Sequence, residues 1–179
     1  VYMAVDQLTQ DVVAVKKQCA DNSGCGRELA TFETLRAFPH ANVLRMLDRF
    51  MARDRNRDWL CFVFEFAAGS FEQIYQTHAG RRGLLAVDMY RKYMREFVLG
   101  VGHLHSISIA HGDLAMSNVF VDNNHVVKIA DLGTAHCACA FLSPTPVTTA
   151  YVRAPEQWAG SQKVGFPCDL WSVGVNMLT

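Results

Sequence analysis

The stretch His111-Gly112-Asp113-Leu114-Ala115-Met116-Ser117-Asn118, followed by Asp131-Leu132-Gly133 and then Ala154-Pro155-Glu156, decides the fold predicted for this chain. It supplies an acid, an amide and a second acid in the order that a phosphoryl-transfer site requires. Asp113 could accept a proton from an attacking hydroxyl, whereas Asn118 and Asp131 could hold a metal ion that bridges nucleotide phosphates. Three such motifs in this order are strong evidence, although any one of them alone usually marks a turn.

The composition fits one domain and excludes several classes of protein. The chain has 179 residues, 50% of them hydrophobic, which suffices for a sizeable core. Because 17 Lys and Arg balance 17 Asp and Glu, the charge gives no support for nucleic-acid or membrane-surface binding. No apolar run reaches the roughly 18 residues of a membrane span, so we expect no membrane association.

Two local features that could mark binding sites have plainer interpretations. Arg53, Arg55 and Arg57 alternate with acidic residues, which predicts a solvated loop. Cys137 and Cys139 form only a C-x-C, with no second pair at zinc-ligand spacing. We therefore expect reduced thiols, which are typical of the cytoplasm or nucleus.

The hydrophobic pattern predicts a β-rich lobe over about residues 1–66. Apolar residues at helical spacing predict a helix from about Arg27 to just before Pro39, after a loop at Asp21–Gly24. Short β-branched or continuous apolar runs predict the strands, the first two as a hairpin. These predicted strands are Val1–Val5, Val12–Lys16, Val43–Phe50 and Leu60–Phe66.

After a break at Ala67–Ser70, the pattern predicts a mainly helical lobe from about residue 70. Apolar residues at three- and four-residue steps predict a long helix with Asp88 in its first turn. This stripe comprises Tyr90, Tyr93, Met94, Phe97, Val98, Val101 and Leu104. Two short strands follow at Val119–Val121 and Val126–Ala130, then an exposed loop at Ser143–Thr149 and a final helix from Leu170 to Leu178.

This order of motifs resembles the eukaryotic protein kinase domain over nearly the whole chain, and most of all the cyclin-dependent kinases partnered by D-type cyclins. The resemblance implies an α+β, bilobal fold with an antiparallel N-lobe sheet plus helix C, a hinge at 67–70 and a partial, mostly helical C-lobe at 71–179. The matching segments are Val13–Lys16, Arg27–Leu29, Pro39–Val43, Val63–Glu65, Val127–Asp131, Arg153–Glu156 and Asp169–Gly174.

Carried over position by position, the resemblance implies a role for each matching residue. Lys16 would bind the α- and β-phosphates of ATP and pair with Glu28, although Glu33 is a rival on spacing alone. Asp113 would be the catalytic base, and Asn118 and Asp131 would bind Mg²⁺. The adenine would contact the backbones of Glu65 and Ala67 and the side chains of Val1, Ala14 and Phe120, beside the gatekeeper Phe64. Thr149 and Asp169 would steady the catalytic loop.

The departures from the family leave two functions open. Compared with the family motif H-R-D-L-K-P-E-N, this chain has Gly112 in place of the arginine and Ala115 in place of the lysine. No Gly-rich loop precedes Val1, and the chain stops at Thr179 inside the central helix. We therefore expect a kinase domain truncated at both ends. The implied function is phosphorylation of Ser or Thr in protein substrates, with a cyclin as a possible partner. The alternative is a pseudokinase or weak kinase that acts as an ATP- or cyclin-binding scaffold.

Overall fold

The computed structural model describes residues 1–20, 23–80, 87–137, 148–161 and 165–178. Within these ranges no helix is long and apolar enough to cross a membrane. The predicted loop at Asp21–Gly24 and the predicted loop at Ser143–Thr149 lie partly outside the described residues, at positions 21–22 and 143–147.

The first third of the chain forms a four-stranded antiparallel sheet in the order β1-β2-β4-β3. Its strands are β1 (Tyr2–Val5), β2 (Val12–Cys19), β3 (Met46–Asp54) and β4 (Arg57–Glu65). Arg55 and Asn56 connect β3 to β4 with φ of 44° and 71°, which suits a tight hairpin turn. The prediction of a loop around Arg53–Arg57 is therefore wrong, because this segment is the tip of a hairpin. Its side chains are solvent-exposed.

One helix, α1 (Ser23–Ala37), packs against this sheet. It begins four residues before Arg27, so the predicted loop is wrong at Ser23 and Gly24. The Phe32 ring packs against Phe64 at a centroid distance of 4.9 Å, and Phe32 is 1% exposed. Burial of this face offsets the low helix propensity of the glycines at the start of α1.

The segment before β3 does not join the sheet as predicted. The strand predicted from Val43 begins instead at Met46, because the preceding residues bond to a different strand. Val43 forms a parallel bridge with Ile129, and the Leu44 N–H donates to the Ile129 carbonyl at 2.8 Å. This connection attaches the β-rich lobe to the rest of the molecule.

The remainder is mainly helical, with α2 (Phe71–Gly80), α3 (Val87–Ser106), α4 (Pro155–Trp158) and α5 (Phe166–Leu178). The short strands are β5 (Gly69–Ser70), β6 (Ile109–Ala110), β7 (Val119–Val121), β8 (Val127–Ile129) and β9 (His136–Cys137). Strands β5, β7 and β8 form one small sheet, and β6 pairs with β9. The final helix, α5, begins at Phe166, four residues before the predicted start at Leu170.

Helix α3 forms the centre of the core, largely as its apolar stripe predicts. Tyr93, Phe97 and Leu104 are at most 1% exposed. Val98 was predicted to belong to this stripe but is 42% exposed, because it lies just beyond the edge of the buried face. The face of α3 that carries Gly100 supports the segment that leads to β3.

We expect Gly100→Ala to destabilise the protein by about 1–3 kcal/mol, the usual cost of overpacking. A Cβ atom at Gly100 would lie 2.7 Å from the Asn42 carbonyl oxygen and 2.8 Å from Ile129 Cδ1. Gly102→Ala is the matched control in the same helix, because a Cβ there meets nothing within 4 Å. We expect the control to stabilise by about 0.5–1 kcal/mol. Denaturant unfolding measures both changes, and a shift of the same sign in both variants would contradict this packing.

Candidate active site

A cleft of about 390 Å³ opens beneath the four-stranded sheet and collects most of the residues singled out from the sequence. Its walls come from β1, β2, α1, the end of β4, and the strands and turns around 117–131. Among the residues lining it are Val1, Ala14, Lys16, Glu28, Phe64, Glu65, Ala67, Asn118, Phe120 and Asp131. The fold therefore brings together residues that are up to 130 positions apart in the sequence.

Lys16 lies at the centre of this cleft and contacts two carboxylates. Its Nζ is 2.8 Å from Glu28 Oε1 and 2.8 Å from Asp131 Oδ1. Glu33, the rival partner on sequence spacing, instead forms an ion pair with Arg49 at 2.9 Å. The structure thus places Glu28, and not Glu33, beside Lys16.

Glu28 is held from a second side by a residue that the sequence reasoning missed. Gln18 Nε2 donates to Glu28 Oε2, so both oxygens of a carboxylate that is 1% exposed are hydrogen-bonded. Every second residue of β2 faces the same side of the sheet, and these residues include Ala14, Lys16 and Gln18. This two-residue period was the signal that could have identified Gln18.

The pKa values show that the contacts of Lys16 outweigh its burial. Burial alone would lower the pKa of the Lys16 ammonium, but the charge of Glu28 and the hydrogen bonds to Asp131 and Glu28 raise it above its ordinary value. Burial likewise would raise the pKa of Asp131, and the hydrogen bond and charge of Lys16 bring it below its ordinary value. Both groups are therefore charged at neutral pH, as the binding of phosphate and metal requires.

The residues expected to contact adenine line the far end of the cleft. Ala14 pairs with Phe64 across β2 and β4, and Phe120 lies on β7 below them. The side chain of Glu65 is turned away from solvent, where it accepts from the Arg45 N–H at 3.0 Å and pairs with Lys128 at 3.1 Å. These contacts, which the sequence did not reveal, fix the backbone that leads to Ala67.

The catalytic loop places Asp113 between two donors. The Thr149 backbone N–H donates to Asp113 Oδ1 at 2.7 Å, and Asn118 Nδ2 lies 3.1 Å from Asp113 Oδ2. Asn118 Nδ2 also donates to the Asp113 carbonyl at 2.9 Å. Each carboxylate oxygen retains a further lone pair, so Asp113 can still accept a proton from a substrate hydroxyl.

Asp169 supports the same loop from α5. Its Oδ2 accepts from the His111 N–H at 2.8 Å, and its Oδ1 accepts from the Gly112 N–H at 2.9 Å. His105 Nε2 lies 2.9 Å from Asp169 Oδ2. Gly112, at the position of the family's arginine, has a φ of 80°. Glycine adopts this conformation without strain.

Two further contacts of the loop were not apparent from the sequence. Met116 occupies the position of the family's proline and therefore has a backbone N–H, which donates to the Tyr151 hydroxyl at 3.2 Å. Asn176 Nδ2 donates to the Leu114 carbonyl at 2.6 Å. Ala115 stands at the position of the family's lysine, is 0% exposed and carries no charge.

The chemistry of Asn118 and Asp131 fits a magnesium ion. The amide nitrogen of Asn118 is directed at Asp113, which leaves Oδ1 as a metal ligand. Asp131 has a φ of 55° and uses Oδ1 to contact Lys16, which leaves Oδ2 as a second ligand. One carboxylate and one amide oxygen, completed by phosphate oxygens and water, form a typical magnesium environment in proteins.

Comparison with known proteins agrees with this geometry. The chain is 35% identical to mouse cyclin-dependent kinase 4, with 97% of this chain and 60% of that protein aligned. It is 32% identical to the putative cyclin-dependent kinase F-2 of rice (99% of this chain, 56% of that protein) and 31% identical to Xenopus laevis cyclin-dependent kinase 7 (97% and 50%). The chain thus spans about 60% or less of these relatives. The model of the protein kinase domain family matches residues 1–179, and the chain belongs to that family.

Proposed function

We propose that the protein transfers the γ-phosphate of ATP to serine or threonine hydroxyls of protein substrates. We further propose a cyclin-dependent-kinase-like role in cell-cycle or related regulation, in the cytoplasm or nucleus. The observation that carries the proposal is the position of Lys16, within 2.8 Å of both Glu28 and Asp131 in one cleft. A structural lysine on a strand would not require two carboxylates from distant parts of the chain.

Each residue then has a distinct task. Lys16, oriented by Glu28, binds the α- and β-phosphates, and Asp113 accepts the proton of the attacking hydroxyl. Asn118 and Asp131 would hold Mg²⁺, which would supply positive charge against the phosphates. Catalysis of this type depends on positioning and on electrostatic stabilisation more than on covalent chemistry.

The second candidate is a weakly active or inactive kinase-like scaffold that binds ATP or a cyclin-type partner. It is favoured by Gly112 and Ala115, which replace both cations of the family's catalytic loop. Loss of one group that stabilises the transition state commonly lowers the rate by about 10²–10³-fold. Retention of Asp113, Asn118 and Asp131 in one arrangement supports the active enzyme over the scaffold.

A cyclin-type partner would bind at α1. In the family such a partner moves this helix so that its glutamate meets the lysine, and here Lys16 Nζ lies 2.8 Å from Glu28 Oε1. The start of α1 presents Gly24 and Gly26 where the family presents apolar contact residues. A partner of this protein would therefore bind a helix that is already in position.

We expect Lys16→Met and Asp131→Asn each to lower phosphate transfer by the intact protein to a Ser/Thr peptide by at least about 100-fold. The first removes the phosphate contact, and the second removes a charged metal ligand. Transfer of radioactive γ-phosphate from Mg-ATP measures both effects.

Lys17→Met is the matched control for Lys16→Met. Lys17 lies beside Lys16 on β2, but it pairs with Asp54 at 3.5 Å and lies over the Trp59 ring. The control should retain most of the activity. Equal rates in the wild type and both site variants would exclude the enzyme, and nucleotide binding without any transfer would favour the scaffold.

We expect phosphorylation of Thr145, which lies outside the described residues, to change activity by less than about tenfold. In the family three arginines hold such a phosphate. Here Arg27 fills one position, whereas Gly112 and the buried His136 fill the others. Each lost charge-assisted hydrogen bond removes about 1.5–3 kcal/mol. Rates of the phosphorylated wild type and of Thr145→Ala test this, and a larger gain that depends on Thr145 would reveal another basic partner.

We expect a cyclin, if it binds, to increase the rate less than it does in kinases whose helix must first move. Pull-down of the intact protein with a panel of cyclins identifies a partner, and the rate with and without that partner measures the effect. Failure of every cyclin to bind would remove the cyclin from the proposal and leave the phosphate-transfer assay unaffected.

A further inference from the structure

Two histidines form a stacked pair where the C-terminal end of α1 meets α3. The rings of His40 and His103 have centroids 4.7 Å apart and an interplanar angle of 16°. His40 follows α1, and His103 belongs to the last turn of α3. Neither residue has a part in the proposed phosphate transfer.

The hydrogen bonds of this histidine pair determine where the protons lie. His103 Nε2 is 2.8 Å from the Phe38 carbonyl oxygen, which can only accept, so Nε2 carries a hydrogen. His40 Nδ1 accepts from the Asn42 N–H at 3.1 Å, so this nitrogen carries none. Protonation of His40 at Nδ1 would therefore break the bond to Asn42.

The residues held by the pair connect the two carboxylates that contact Lys16. Phe38 directly follows α1, which carries Glu28. Asn42 Nδ2 donates to the Val127 carbonyl at 3.1 Å, and the Asn42 carbonyl accepts from the Ile129 N–H at 2.9 Å. Both lie on β8, with Val127 four residues and Ile129 two residues before Asp131.

The cavity beside His40 is lined by charged side chains from several elements. Arg36 from α1, Arg45 from the segment before β3, and Lys128 from β8 line the cavity beside it. Glu65 from β4 lines the same cavity but is paired with Lys128 at 3.1 Å. His103 is the titratable group in direct contact with His40 from α3.

Burial and the neighbouring His103 lower the pKa of His40 below its ordinary value. The folded protein therefore takes up this proton at a lower pH than the unfolded chain does. The stability contributed by neutral His40 is complete above the ordinary histidine pKa of about 6.5 and is lost as the pH falls through the folded value.

We propose that His40 and His103 form a pH-responsive positioning element, which holds Glu28 at its distance from Asp131 and releases α1 when His40 is protonated. Its effect on nucleotide affinity rests on the proposed function, whereas its effect on stability does not. Both readouts are therefore measured on the same variants.

The test compares binding of fluorescent mant-ADP with Mg²⁺ to the intact protein at pH 7.5 and pH 5.5, a range in which histidine titrates. We expect wild-type affinity to fall by at least about fivefold at the lower pH, the low end of typical coupling between sites. His40→Asn retains an acceptor oxygen near the Nδ1 position and cannot be protonated in this range. This variant should bind as the wild type does at pH 7.5 and lose most of the pH dependence.

His125→Asn is the matched control. His125 lies at an exposed turn with a φ of 59°, which asparagine tolerates, and it is not part of the histidine pair. This control should retain the wild-type pH dependence. Full pH dependence in His40→Asn, or its loss in His125→Asn, would overturn the proposal.

The midpoint of thermal unfolding, measured at both pH values, separates this proposal from the proposed function. If the wild type binds no nucleotide at either pH, the proposed nucleotide site fails. The proposal for the histidine pair is still supported if, between pH 7.5 and pH 5.5, the unfolding midpoint falls less in His40→Asn than in the wild type. It is refuted if the midpoint falls equally in both.

Discussion

The buried carboxylate of Glu28 is the constraint on which the rest of the site depends. An ionised carboxylate that is 1% exposed is stable only when its oxygens are hydrogen-bonded and its charge is paired. Lys16 and Gln18 supply these contacts from one strand, so α1 must pack at a fixed position against β2. Lys16 is then placed to reach Asp131 as well, which joins the sheet to the turn that follows β8.

The segment between α1 and β3 makes this arrangement rigid at the other end. The backbones of Asn42 and Leu44 bond to Ile129 of β8, and Gly100 of α3 lies against this segment. The helix that carries Glu28 and the strand that leads to Asp131 are therefore attached to each other twice, through Lys16 and through Asn42.

The catalytic loop is positioned without the two cations that are usual in its family. Asp169 holds the His111 and Gly112 amides, Asn176 holds the Leu114 carbonyl, and Thr149 contacts Asp113. These are neutral donors or buried acceptors, and they fix geometry but add no positive charge near a transferring phosphate. The loop is thus organised as in an enzyme, while its electrostatics are weaker than those of the family motif.

Local patterns in the sequence were enough to identify the family, the order of its motifs and the main helices, because these patterns do not depend on how the elements pack. The period of α3 predicted its buried face, and the order of Asp113, Asn118 and Asp131 predicted one site. The resemblance favoured Glu28 over Glu33 as the partner of Lys16, but the contact itself and the start of β3 at Met46 are set by packing. Both outcomes depend on which elements lie side by side, as does the contact between Lys16 and Asp131 across 115 positions. The pairing of His40 with His103 has the same origin, since it forms only where the end of α1 meets α3.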